Sequence, residues 1–127
     1  FAVKVPLYFK GPSRGDVVVL EAPDNSNKDY IKRVIGLESD KIQIIDGKVY
    51  LNGELLEESY IEEDSYTHVY DVDTWIVPPG EVFVLGDNRK EGASKDSRYF
   101  GCVPLDSIKG ITEFRYFPIN NRFGKIN

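Results

Sequence analysis

Short apolar segments separated by turn signals run along the chain, and no window of 12 residues keeps a helical 3.6-residue repeat. Residues 16–20 and 30–35 read as buried strands. Residues 41–45 and 48–51 flank Asp46-Gly47, a hairpin signature. Asp-Gly accepts the positive φ angles of a type I′ turn, whose twist matches that of the two strands. Asn52-Gly53 marks a second turn before a short segment at 54–56. Pro78-Pro79-Gly80 breaks the chain ahead of a strand at 81–85, and a polar loop follows from Gly86 to Arg98. A last strand is expected over 108–117, closed by Pro118 and Asn120-Asn121. Residues 57–77 show no clear period and are expected to form a long, partly ordered excursion. The pattern predicts an all-β domain of mainly antiparallel sheets, barrel-like or folded over, with little helix. With no repeat and no linker, residues 1–127 read as a single domain.

Composition narrows the possibilities. A chain of 127 residues, 41% hydrophobic and 13% aromatic, can bury a core, which excludes disorder. Cys102 is the single cysteine, so no internal disulfide framework holds the fold. The longest apolar runs, such as 17–20, have four residues, against the roughly 20 needed to span a bilayer. Phe1 opens without a charged start and an apolar stretch, so a signal peptide is not expected here. The chain reads as a soluble piece cut from something longer.

The net charge of −5 is unevenly spread: residues 49–88 hold ten acids and no Lys or Arg, while the rest holds all 16 bases against 11 acids. No basic stripe is present, so nucleic acid is not an expected partner. The acidic middle reads as a solvated face, with a polycationic partner or calcium as the alternative. Residues 57–64 lack the alternating carboxylates and turn glycine of a calcium loop. No metal or other cofactor is expected.

Lys32 is the most informative residue. Alternation places Tyr30, Lys32 and Val34 on one face of a strand, with Ile31, Arg33 and Ile35 on the other. The base that faces the interior needs a partner, because an unpaired buried charge is very costly. Two readings are open. One base snorkels out while the other forms an ion pair, or Lys32 is desolvated and serves as a general base near neutral pH, as an arginine cannot. The loop from Gly86 to Gly101 crowds Asp87, Arg89, Ser94, Asp96, Ser97 and Arg98 together. Asp–Arg pairs and Asx turns would hold such a loop together, and the same pairs would hold one hydroxyl rigidly in a site.

Residues 14–20, residues 29–37 and Gly86-Asp87-Asn88-Arg89 with Asp96-Ser97-Arg98 resemble the extracytoplasmic domain of type I signal peptidases, membrane-bound serine proteases with a Ser-Lys dyad. Pro79-Gly80 ahead of 82–85, and residues 101–110, share the likeness, which covers nearly the whole chain. The compact Gram-positive type is the nearest match. The resemblance implies Lys32 as general base and Ser94 as the serine that orients it. It implies supporting salt bridges between Asp87 and Arg33 and between Asp96 and Arg98. Val19, Asp29, Tyr30 and Ile31 match the shallow pockets for small residues of a signal peptide, bound as an added strand. The implied chemistry is acyl transfer through a serine ester. The implied partners are preprotein signal peptides and, through an N-terminal anchor that this chain lacks, the extracytoplasmic face of a bacterial membrane.

Three departures stand out. The family's Ser-Met-x-Pro nucleophile segment has no counterpart in a chain without methionine, so the chain alone is expected to be inactive. Ser13, Ser26, Ser39 and Ser65 do not match its position. Leu37-Glu38-Ser39-Asp40 stands where the family has Leu-Pro-Gly-Asp, so Ser39 is expected to bear a conformation that glycine adopts more easily. Four residues, 90–93, separate Arg89 from Ser94 where two are usual, an insertion able to move Ser94 off Lys32. The alternative is a non-catalytic or specialised relative that binds pilin as a pilus-assembly accessory. Elsewhere, Arg14-Gly15-Asp16 runs straight into a buried strand, which disfavours adhesion. His68 stands alone, which rules out a His triad or a multi-His zinc site. Cys102 reads as a core residue. Trp75 is ambiguous, and Phe114, Tyr116, Phe117 and Phe123 divide between core and a membrane-facing surface, with Tyr116 the best surface candidate.

Overall fold

A computed structural model describes residues 11–24 and 26–112. Nine strands are present among them: β1 (Val17–Glu21), β2 (Asp29–Gly36), β3 (Lys41–Ile45), β4 (Lys48–Leu51), β5 (Glu54–Leu55), β6 (Thr74–Ile76), β7 (Glu81–Leu85), β8 (Val103–Pro104) and β9 (Ile108–Thr112). One short helix, α1 (Ser97–Phe100), precedes β8, and a 3₁₀ turn covers Leu105–Ser107. The strands form two antiparallel sheets, a five-stranded one ordered β8-β7-β2-β1-β9 and a four-stranded one ordered β5-β4-β3-β6. The all-β expectation holds. Among the described residues no helix is long and apolar enough to cross a membrane.

Strand period fixes the layering. Along β7, Val82 and Val84 enter one core cluster with Val18, Leu20 and Val34, while Phe83 and Leu85 enter a second with Ile35, Ile42 and Ile44. The five-stranded sheet is thus covered on both faces, and the second cluster is where the smaller sheet packs against it. This explains why β7 reads as a continuous apolar run instead of an alternating one. Trp75 of β6 is half-buried and packs on Phe83 with ring centroids 4.7 Å apart.

The turns follow their residue chemistry. Asp46 and Gly47 have φ of 51° and 76°, and Asn52 and Gly53 have 53° and 87°, so both hairpin corners use left-handed residues. A Cβ on Gly47 would run into the Tyr66 ring. Ser39 adopts φ 73°, the glycine-like conformation its position calls for. Around it, Leu37 N–H donates to Asp40 Oδ2 and Arg14 donates through Nε and Nη2 to the same carboxylate, all at 2.8 Å. Burial pushes the Asp40 carboxyl up, but Arg14, Leu37 N–H and Asn52 outweigh it and hold the group at about 2. The neighbours therefore hold the turn, and Ser39 bears the strain. Ser39→Gly is expected to stabilise the fold by about 0.5–1 kcal/mol in urea unfolding. A loss of stability would show that the serine suits its place.

The sequence reading needs several corrections. The excursion is not irregular to its end, because residues 74–76 form β6 on the open edge of β3, Gln43 facing Thr74. α1 and β8 are further elements that hydrophobic period does not show, being four and two residues long. Strand β9 is described to Thr112, and the expected continuation to residue 117, with Phe114, Tyr116, Phe117 and Phe123, lies outside the described residues.

Candidate active site

Both bases of β2 are buried, Lys32 at 3% exposure and Arg33 at 4%, so neither snorkels to solvent. Alternation sends them to opposite sides of the sheet, as the pattern requires. Strand β1 pairs with β2 from Asp29 to Arg33, but β7 joins β2 only from Arg33 onward. Among the described residues, 29–32 therefore have no strand partner on the β7 edge. After Leu85 the chain leaves as a loop and passes beside that edge. It returns Ser94 to within 2.6 Å of Lys32, whose Nζ donates to Ser94 Oγ. The amine also lies 5.1 Å from the Tyr30 ring centroid. Burial, reinforced by Arg98, pushes the Lys32 pKa down against the pull of Asp96 and Asp87, to about 8.

Two buried ion pairs shape the loop. Arg33 grips Asp87 with a two-pronged fork at 3.0 and 2.9 Å and donates to Gly15 O at 3.0 Å. Asp96 accepts from Arg98 Nε at 2.9 Å, Arg98 Nη2 at 2.8 Å and Gly86 N–H at 2.9 Å, with both side chains fully buried. Asp96 also caps α1 by accepting from Arg98 N–H. Ser97 is committed elsewhere, since its Oγ accepts from Val84 N–H at 2.9 Å. The inserted residues do not displace Ser94. Residues 90–93 turn outward, closed by Ala93 N–H on Lys90 O and by Gly92 N–H on the Tyr70 hydroxyl.

A cleft of about 400 Å³ opens over the amine, lined by Asp29, Tyr30, Ile31, Lys32 and residues 93–95. Asp29, Tyr30 and Ile31, which the likeness matches to substrate pockets, are among these lining residues. Val19 is not part of the lining, although it sits directly opposite Ile31 across the β1–β2 pair. Asp29 is further occupied by Lys109 at 2.8 Å, both about half exposed. Ser13, Ser26, Ser39 and Ser65 are not among the lining residues, although Ser26 interacts with the Tyr30 hydroxyl at its border. A cleft of similar size, about 410 Å³, is lined by residues between 47 and 65, Ser65 among them, and by none of the groups around Lys32.

Other candidates fall away on geometry. Arg14 is forked onto Asp40 and Asp16 is buried, so Arg14-Gly15-Asp16 cannot present itself as an adhesion loop. Cys102 packs against the second core cluster, and burial with Glu81 pushes its thiol up to about 11, away from a thiolate. Seven of the ten acids in residues 49–88 are exposed, as a solvated face requires, but Glu58 and Asp87 are bound to arginines. The sequence reading missed Glu58, Tyr60 and the partner of Arg89. Arg89 is itself the signal: an arginine that buries itself beside a loop needs an acid, and the nearby excursion is rich in them.

Comparison with known proteins places these features. The family described as "Signal peptidase, peptidase S26" matches residues 1–117, and the chain belongs to that family. Within it, the chain is 36% identical over 127 residues to thylakoidal processing peptidase 1, chloroplastic, of Arabidopsis thaliana, covering 92% of this chain and 36% of that protein. It is 36% identical over 130 residues to signal peptidase I of Leptolyngbya laminosa, covering 97% and 61%. It is 37% identical over 125 residues to signal peptidase IB of Staphylococcus aureus, covering 87% and 63%. A signal peptidase I structure from Enterococcus faecalis V583 superposes with a TM-score of 0.67 at 34% identity, over 81% of this chain and 97% of that one. The chain thus spans between about a third and under two thirds of the length of these curated relatives. The pilin-binding alternative draws no support from proteins named in this way.

Proposed function

We propose that this chain carries the lysine half of a serine endopeptidase that removes signal peptides from exported preproteins after small residues of the Ala-x-Ala type. The contact between Lys32 and Ser94 at 2.6 Å, beside a strand edge open to an extended peptide, supports this reading most directly. Lys32, poised near neutral pH, takes the proton from an attacking serine hydroxyl and returns it to the leaving amine of the scissile bond. Ser94 orients the amine. Arg33 with Asp87 and Arg98 with Asp96 hold the strand and the loop at a fixed separation. Asp29, Tyr30 and Ile31, with Val19 behind them, shape the wall along which the peptide lies. The Ser-Met-x-Pro nucleophile segment has no counterpart in the sequence, so the chain by itself is expected not to cleave. Signal-peptide substrates would put the work at the extracytoplasmic face of a membrane.

The deciding experiment incubates the full-length gene product with an Ala-x-Ala signal-peptide substrate, beside its Lys32→Ala variant. Cleavage by the first and none by the second is expected. Equal cleavage by both removes Lys32 from the mechanism. Ser94→Ala is expected to lower kcat by about 10²-fold with KM changed far less, since it misaligns the base while removing only one oxygen from the cleft lining. An unaltered kcat would mean that another hydroxyl or a water orients the amine.

A further inference from the structure

Tyr60 belongs to the irregular stretch between β5 and β6, yet it is joined to both segments that hold the lysine site. Its ring centroid lies 4.1 Å from the Arg33 guanidinium carbon and 6.0 Å from that of Arg89. Its hydroxyl donates to Glu58 Oε2 at 2.9 Å, and Glu58 in turn takes Arg89 Nη1 and Nη2 at 2.9 and 2.6 Å. Arg89, only 1% exposed, donates from Nε to Gly86 O at 2.7 Å and from Nη1 to Thr67 Oγ1 at 3.2 Å. The Tyr60–Glu58 pair therefore grips β2 through Arg33 and the Ser94-bearing loop through Arg89. Burial, with Glu58 alongside, raises the phenol pKa, so the hydroxyl remains a neutral donor.

We propose that Tyr60 is a positioning residue for Lys32, its ring bracing the Arg33–Asp87 fork on the sheet face opposite the amine and so fixing β2 against the loop that carries Ser94. The inference rests on the reading of Lys32 as base. A guanidinium has two faces, and the aromatic ring covers one of them where water would otherwise stand. Admitting water raises the local dielectric and weakens the fork. Strand and loop then gain slack relative to each other, and a contact as short as the one between Lys32 and Ser94 does not survive a shift of about 1 Å. The groups that act on the amine are Asp96 and Arg98 from the loop end and α1, Asp87 from the loop start, and the Tyr30 ring from β2 itself. Tyr60 is not among them. It acts only by keeping them in place and water out.

The test is an NMR titration of the Lys32 amine in this chain, in Tyr60→Leu and in Tyr60→Phe, with each fold checked by its amide spectrum. Tyr60→Phe keeps the ring and is expected to titrate with the parent. Tyr60→Leu loses the ring and is expected to titrate about one pH unit higher, as water reaches the amine. A folded Tyr60→Leu that titrates with the parent overturns the proposal, as does a phenylalanine variant that moves as far as leucine. If Tyr60→Leu does not fold, Tyr60→Met decides. It also removes the ring but keeps a flexible apolar side chain, so an upward shift supports the brace and an unchanged titration overturns it. A parent amine already near the free-lysine value of about 10.4 removes the base reading and the brace together. A depressed parent value that ignores Tyr60 removes the brace alone.

Discussion

Arg98→Ala is expected to destabilise the fold by about 3–5 kcal/mol, a large fraction of what a domain of this size has. The guanidinium is completely buried and makes four side-chain hydrogen bonds: two to Asp96, one to His68 O and one to Arg89 O. Removing it leaves the Asp96 carboxylate buried, hydrogen-bonded only by the Gly86 and Arg98 backbone N–H groups and with Lys32 as the remaining positive charge acting on it. The loss is therefore dominated by an uncompensated charge, not by a missing attraction. Arg98→Lys is expected to recover only part of it, because one ammonium cannot follow the fork to Asp96 and also reach two carbonyls. Thermal unfolding reads the result as a fall of about 10 °C for the alanine variant. A loss below about 1 kcal/mol would mean that water replaces the guanidinium.

The same pair illustrates what the sequence makes legible. Asp96 and Arg98 are two residues apart, so the ion pair and the helix cap are both local; the pair was implied by the family likeness, while the four-residue helix it caps left no period to read. Arg33 and Asp87 are 54 positions apart, and their pairing was implied by the family likeness and not by any period. Glu58 and Tyr60 were illegible for a different reason. Their segment has no repeat, and ten acids of similar look compete for Arg89. The β3–β4 hairpin could be read to its boundaries because two left-handed residues leave few other turns open. Strand β6 could not be read that way. Its three residues sit between acids and prolines, and it is a strand only because β3 offers an unpaired edge. Ser94 stands between these cases: its motif points to Lys32, but only the outward turn at 90–93 decides that an insertion leaves it there.

Lys32→Met is expected to abolish cleavage by the full-length protein while making the fold more stable at pH 7. The two effects share one cause. Burial holds the amine near 8 where the unfolded chain has about 10.5, so a neutral base is about 300-fold more abundant at pH 7 than on a free lysine. The same gap works against folding. A lysine whose folded pKa is lowered must carry its charge in a buried place, so its cost is full below about 8, where it stays protonated, and disappears as pH rises toward 10.5. Converted at 1.36 kcal/mol per unit, that cost is at most about 3 kcal/mol, and the orphaned Ser94 hydroxyl offsets part of the gain when it is removed. Lys32→Met should therefore exceed the parent in stability by about 1–2 kcal/mol at pH 7, with the difference shrinking as the pH is raised above about 8. Cleavage by the parent should rise with pH through the same region, following the neutral amine. Urea unfolding at several pH values, set beside the pH–rate profile, checks both. An inactive variant with no gain in stability would mean that burial does not lower the pKa of the amine, and its part in proton transfer would then need another source.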